Sequence, residues 1–251
     1  MFCFDNFSFR YEPYPIGGGQ PFFDKAVYEQ LTDRFPPLEL FATLPEHSGK
    51  KYSLSERFNP RAYDDFVRAD PLWREFHSRT KSPAFVREVL ALLARHHINY
   101  RTRNLATSLP ETWWLILRDM ARGRIPYDLT RLKTRFEFSA FADGGYLLPH
   151  TDTPKKRIVM VMSMAKEGEW LPEFGGHTVV NRPLQERHAY NWSNEFIPFD
   201  QVEEIDRFPY LPNQCLMFVK TFNSLHAVSP VQTAGAPVLR KTLTLNIEVA
   251  H

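Results

Sequence analysis

The stretch Thr134-Arg135-Phe136-Glu137-Phe138-Ser139-Ala140-Phe141 decides how the chain is to be read. Polar and charged residues alternate with aromatic ones at a period of two, which describes a half-buried strand. Downstream, Ile158 to Met164 is almost continuously apolar and reads as a strand buried on both faces, as does Cys215 to Val219. Near the end, Leu243, Leu245, Ile247 and Val249 alternate with Thr242, Thr244, Asn246 and Glu248, predicting a last strand with one apolar and one polar face.

Upstream of this stretch the period is helical. Val27, Leu31 and Phe35 recur behind a cap at Asp24, and Pro36-Pro37 stops the run. Asn59-Pro60 and Ser82-Pro83 each place a capping residue before a proline suited to the first helical turn. From Pro83 to His97, Phe85, Val86, Val89, Leu90, Leu92 and Leu93 make a wide apolar face. Ser108 with Glu111 reads as a capping box opening a helix through Met120, which Gly123 ends. Trp113-Trp114 within it are expected in the core. Helices first and short strands afterwards predict one α+β domain over 1–251. Residues 1–130 form a mostly helical flanking region, and 131–251 a sandwich or barrel that carries the site.

Hydrophobic residues make up 43% and charged residues 24% of 251, ordinary globular usage that excludes a disordered or fibrous chain. Twenty prolines and twenty-one phenylalanines suit a turn-rich β architecture. The net charge of +2 and a longest basic run of only Lys155-Lys156-Arg157 speak against nucleic acid as a partner. The start, Met1 to Arg10, lacks a basic, apolar leader, and no segment has the length to cross a bilayer, so the expectation is a cytoplasmic protein with no membrane partner. Cys3 and Cys215 read as buried free thiols.

The chemistry concentrates in Gly144-Gly145-Tyr146-Leu147-Leu148-Pro149-His150-Thr151-Asp152. On a strand, His150 and Asp152 point to the same side and form a metal-ligand pair. His226, shortly after the apolar strand Cys215 to Val219, is the third candidate. Two histidines and one carboxylate on one face of an octahedron are the ligand set of non-haem Fe(II) oxygenases, with three positions open. A chelating 2-oxo acid can take two of these and O2 the last. The far carboxylate of 2-oxoglutarate then needs a cation, and Arg240 lies on the last strand, sharing a face with Thr242.

In these residues the sequence resembles the 2-oxoglutarate- and Fe(II)-dependent dioxygenases, in particular the prolyl-4-hydroxylase-like branch. The matching positions are His150-Thr151-Asp152-Thr153, Arg157 leading an apolar strand, Glu173-Phe174-Gly175-Gly176, His226-Ala227-Val228 and Arg240. The resemblance spans roughly residue 130 to the end. It implies a double-stranded β-helix, or jelly roll, with iron held by His150, Asp152 and His226 and 2-oxoglutarate anchored by Arg240. The N-terminal part is similar, less specifically, to a bacterial subgroup of unassigned substrate, often set in surface-polysaccharide or secondary-metabolite pathways. Two positions depart from the pattern. Where relatives carry a tyrosine that helps hold the co-substrate, Phe141 stands here. Gly235-Ala236-Pro237 also widens the interval from His226 to Arg240, which makes Lys241 a rival anchor.

The function expected is therefore hydroxylation of an unactivated C–H bond in a small-molecule or sugar-linked substrate. Two other classes fit the same ligands: a cupin-like isomerase or zinc hydrolase, which has no use for Arg240, and a non-catalytic binding module. His96-His97 are expected to complement a helix C-terminus, and His188 to have no metal role. His177, Trp170, Tyr190 and Trp192 are candidates for the pocket wall, and Pro183 to Arg207 with the N-terminal helices for substrate selection.

Overall fold

The computed structural model describes residues 2–44, 48–99, 104–124 and 129–250. In chain order the strands and α-helices are β1 (Ser8–Arg10), β2 (Ile16–Gly19), α1 (Lys25–Asp33), β3 (Ala42–Leu44), β4 (Lys51–Ser55), α2 (Pro60–Ala69), α3 (Pro71–Lys81), α4 (Pro83–Arg95), β5 (Asn104–Ala106), α5 (Leu109–Ala121), β6 (Leu129–Phe141), β7 (Leu147–His150), β8 (Lys156–Ser163), β9 (Thr178–Pro183), β10 (Val202–Phe208), β11 (Cys215–Val219), β12 (His226–Val228) and β13 (Arg240–Val249).

Two sheets result. The larger has nine strands, in the order β1-β2-β11-β8-β13-β6-β4-β3, with β5 running parallel along the start of β6 and every other pair antiparallel. The smaller is antiparallel, β10-β9-β12-β7. The N-terminal part holds all five described α-helices and, beyond the helical reading, short strands as well. Its short strands complete the larger sheet, β2 on β11 and β4 on β6. Strands of three to five residues, one of them Ile-Gly-Gly-Gly, carry too few alternations to show a period.

The helices cover the outer face of the larger sheet. Phe136 and Phe138 of β6, Ile158, Met160 and Met162 of β8, and Leu243, Leu245 and Ile247 of β13 join Leu31, Trp73, Phe76, Phe85, Val89 and Leu92 in one core. Each fully buried side chain of this size contributes about 1.5–3 kcal/mol. Trp73 meets Phe138 edge to face, with ring centres 4.8 Å apart. The inner, polar face is largely buried too: Glu137, Ser139, Thr242, Asn246 and Glu248 all lie inside. A second sheet stands over it.

Helix starts follow the sequence with three adjustments, the first being that Asp24 precedes α1 but its side chain makes no capping hydrogen bond. Ser82 and Ser108 accept hydrogen bonds from the amides of Phe85 and Glu111, as caps do. Asn59 instead turns its side chain back, accepting from the Ser55 amide and donating to the Leu40 and Ser53 carbonyls. Asp70-Pro71, not singled out in the sequence, opens α3, with Asp70 accepting from Leu72 and Trp73. Trp113 and Trp114 are not in the core; both face outward from α5. Both cysteines are free, Cys215 buried and Cys3 partly so. His96 and His97 do end a helix, with His97 in the left-handed region at φ 56°. No described helix is long and apolar enough to cross a membrane.

Candidate metal and co-substrate site

His150 is the last residue of β7 and His226 the first of β12, and the antiparallel register sets them directly opposite each other. Their rings lie 4.4 Å apart. Asp152 reaches the same point by a different route from the one expected. It lies beyond the end of β7, at φ 71°, so a left-handed turn rather than strand alternation swings its carboxylate back toward the histidines. Oδ1 sits 3.7 Å from His150 Nε2 and Oδ2 3.7 Å from His226 Nε2. All three side chains are buried, and one ligand atom from each falls within 4.8 Å of the other two.

The other ring nitrogens show how the three residues could serve as a ligand set. Nδ1 of His150 lies 2.9 Å from the Leu148 carbonyl, and Nδ1 of His226 lies 2.9 Å from that of Ser224. A carbonyl only accepts, so each Nδ1 carries the proton and each Nε2 turns a lone pair inward. Burial, with His150 adjacent, pushes the His226 imidazole down to about 3 against the pull of Asp152, and keeps it neutral. Burial alone would raise the Asp152 carboxyl, but Lys156, His150 and His226 hold it well below the usual range. Lys156 Nζ donates to Oδ1 at 2.5 Å, while Oδ2 is buried without any hydrogen-bond partner. Two imidazole lone pairs and an orphaned carboxylate oxygen converging on one point fit a divalent transition metal.

A cavity of about 410 Å³ opens from this cluster between the two sheets and reaches Arg240. Arg240 begins β13 opposite Phe141, the last residue of β6. Its Nε donates to the Gly176 carbonyl at 2.5 Å, and its guanidinium lies between the rings of Phe141 and Tyr210, at 5.6 and 4.8 Å. Gly176 must be glycine: φ is 65°, and a Cβ would stand 2.8 Å from Arg240 Cδ. Burial lowers the guanidinium to about 10, with Tyr210 opposing, so it stays charged at neutral pH. Among the described residues no carboxylate pairs with it. Lys241 faces the other way and pairs with Glu169 at 2.7 Å. Thr242 and Thr244 line the cavity beside Arg240, as the shared strand face requires.

Several residues of the site carry no recognisable motif. Glu137 lines the cavity with Lys51 at 3.2 Å and accepts from the hydroxyls of Ser53 and Ser139. Burial would raise its carboxyl, yet Lys51, Lys156 and Arg135 hold it at about 2. Lys220 donates to Thr151 Oγ1 at 3.1 Å and to the Trp192 carbonyl at 3.2 Å, and so ties the turn between the ligands to the following loop. Burial lowers it to about 8, with Asp152 pulling the other way. A lysine directly continuing the all-apolar run Cys215–Val219 was the available signal. From the 183–207 stretch it is Asn194 and Phe196 that line the cavity, with Phe196 stacked on His150 at 4.9 Å. Trp170, Tyr190, Trp192 and His177 do not line it, although Trp170 packs on Tyr210 behind Arg240. His188 contacts Glu195 and Arg187 away from the cluster. The N-terminal lining comes from Leu44, Ser48, Lys51, Arg57 and Phe58, in and around β3 and β4 rather than from the helices.

No protein-family model matches the chain, and comparison with curated proteins yields no match. Among solved structures the chain is similar to a Pseudomonas putida prolyl-4-hydroxylase, at 12% identity and a TM-score of 0.48, covering 95% of this chain and 94% of that one. It is also similar to HygX from Streptomyces hygroscopicus with nickel and 2-oxoglutarate bound, at 11% identity and a TM-score of 0.47, covering 98% and 84%. A third is the Trichoplax adhaerens prolyl hydroxylase in complex with a hypoxia-inducible-factor peptide, at 11% identity and a TM-score of 0.46, covering 93% and 83%. These likenesses are distant and assign nothing to this chain.

Proposed function

We propose that the protein is an Fe(II)- and 2-oxoglutarate-dependent oxygenase built on a jelly roll, hydroxylating an unactivated C–H bond of a small-molecule substrate. One observation carries the reading: the buried His150, Asp152 and His226 share a cavity with a buried arginine that no described carboxylate neutralises. The ligand set suits Fe(II) and leaves positions for a chelating co-substrate. When bound, iron and 2-oxoglutarate supply the reducing power for O2: the 2-oxo acid leaves as succinate and CO2, and one oxygen atom enters the substrate.

The chain's own residues position and insulate. The Leu148 and Ser224 carbonyls fix both imidazoles by their Nδ1 protons, and Lys156 holds one oxygen of Asp152 so that the other faces the ligand cluster. Arg240, with Thr242 beside it, meets the far carboxylate of 2-oxoglutarate. Phe141 provides a ring against the guanidinium but no hydroxyl, so the co-substrate is held without the tyrosine that relatives use. Phe196 and Phe218 keep water from the histidines by packing on them.

A zinc hydrolase or a cupin-like isomerase would use the same three ligands but would leave Arg240 without a role. The test is to load the protein with Fe(II), supply 2-oxoglutarate, O2 and candidate small molecules, and measure succinate and products heavier by one oxygen. Succinate formation that disappears in His226→Ala supports the reading. Activity with zinc alone, or none with iron, overturns it.

A further inference from the structure

Helix α5 is built inside out. A helix on a globular protein turns its apolar stripe toward the core and its charges toward water. Here Leu109, Trp113, Trp114, Leu117 and Met120 are each 59–64% exposed, while Asp119 is buried against the protein and bonded to Arg118. At 100° per residue, an arc of about 160° from Ile116 round to Trp114 carries no charged side chain. Monomeric proteins rarely expose a contiguous apolar patch of this kind without a binding role.

Charge indicates what covers it. Glu111, the other carboxylate of α5, is engaged with Thr107 and Arg87. Arg122 and Arg124, just past the helix end, are exposed and have no ion-pair partner among the described residues. Over 101–124 the sequence has five arginines and two carboxylates, in a chain otherwise close to balance. We infer that α5 is a membrane-surface helix that docks on anionic lipid, its tryptophans and leucines entering the headgroup boundary and its arginines meeting the phosphates. A second copy of the chain is the poorer occupant, because it would bring the same cationic surplus to the interface with no free carboxylate on the helix to meet it. The absence of a spanning segment, from which no membrane partner was expected, does not bear on a helix that lies in the surface. The inference is independent of the chemistry assigned to the cavity.

The experiment uses the full chain with vesicles of phosphatidylcholine alone and of phosphatidylcholine with one-third phosphatidylglycerol. Co-sedimentation and tryptophan fluorescence are the readouts. Expected are binding to the anionic vesicles only, a shift of emission to shorter wavelength, and weakening by salt. Trp113→Glu/Leu117→Glu, both on the exposed arc, should abolish binding with the melting temperature unchanged. Arg122→Glu/Arg124→Glu should lower the partition coefficient by at least about tenfold. The inference is overturned by no binding, by equal binding to both vesicle types, or by binding that survives Trp113→Glu/Leu117→Glu. It is equally overturned by a stable dimer that this double substitution converts to monomer.

Discussion

The two faces of the nine-stranded sheet are made by the same strands and do opposite things. On β13, Leu243, Leu245 and Ile247 point outward into a core shared with the helices, while Arg240, Thr242, Thr244 and Asn246 point inward. On β6, Phe136 and Phe138 alternate with Arg135, Glu137 and Ser139 in the same way. The inner face is largely buried too, although Arg135 and Thr244 stay partly exposed where the outer-face residues are fully hidden. The apolar face carries the main packing, and the other bears the cost of buried polar groups that line the cavity. Substitutions on alternate residues of one strand should separate the two roles.

The largest effect is expected at the cluster the inner face looks onto. Asp152→Ala should abolish turnover. Ni(II) or Mn(II) should raise the melting temperature of the wild type but not of the variant, because the orphaned ligand atom is gone. A variant that keeps its metal-dependent stabilisation breaks the ligand assignment. On the outer face, Phe138→Ala should cost about 3–5 kcal/mol in denaturant unfolding, and a loss under 1 kcal/mol would mean that this face is not the stabilising one.

Glu137 tests whether the inner face also contributes stability. Its carboxyl is lowered from 4.5 to about 2, so its contribution is fully present above the unfolded value and is lost as pH falls through the window from about 4.5 to about 2. Across that window the wild type should lose up to about 3 kcal/mol that Glu137→Gln does not. Superimposable stability curves for the two proteins would remove the Lys51–Glu137 pair from the account.

Arg240 and its neighbour sharpen the comparison within one dipeptide. Arg240→Gln should weaken 2-oxoglutarate binding about ten- to a hundredfold, the value of a charge-assisted hydrogen bond of roughly 1.5–3 kcal/mol. Lys241→Gln, facing Glu169 instead, should leave affinity unchanged and alter stability by less than about 1 kcal/mol. Anaerobic titration of both metal-loaded variants reads this directly, and the reverse outcome would exchange the two roles.

The strands β6 and β13, which line the cavity, were legible because they are long: thirteen and ten residues carry enough alternations to reveal their faces, whereas β7 and β12, which carry the two histidines, have only four and three. His150, Asp152 and His226 could be named from order and residue type, although the left-handed turn at Asp152 could not, since nothing in Thr-Asp-Thr announces a positive φ. Alternation predicts two faces but not what covers each, so the pattern alone does not show that Glu137 and Asn246 lie buried. The tryptophans of α5 failed for the complementary reason: composition says what a side chain prefers, and its exposure depends on which side of the helix the protein occupies.

Lys220 has a consequence for how such a scaffold can be altered. Its ammonium joins Thr151, between two ligand residues, to the backbone at Asn191 and Trp192, a few residues before Asn194 and Phe196 reach the cavity. On the proposed function, the cavity wall and the metal site are therefore mechanically linked. A loop transplanted here to change the proposed substrate would bring its own backbone course past Lys220 and so disturb the turn between His150 and Asp152. Exchanging single side chains at Asn194 and Phe196, with the loop's carbonyls left in place, is the route that keeps the two separable.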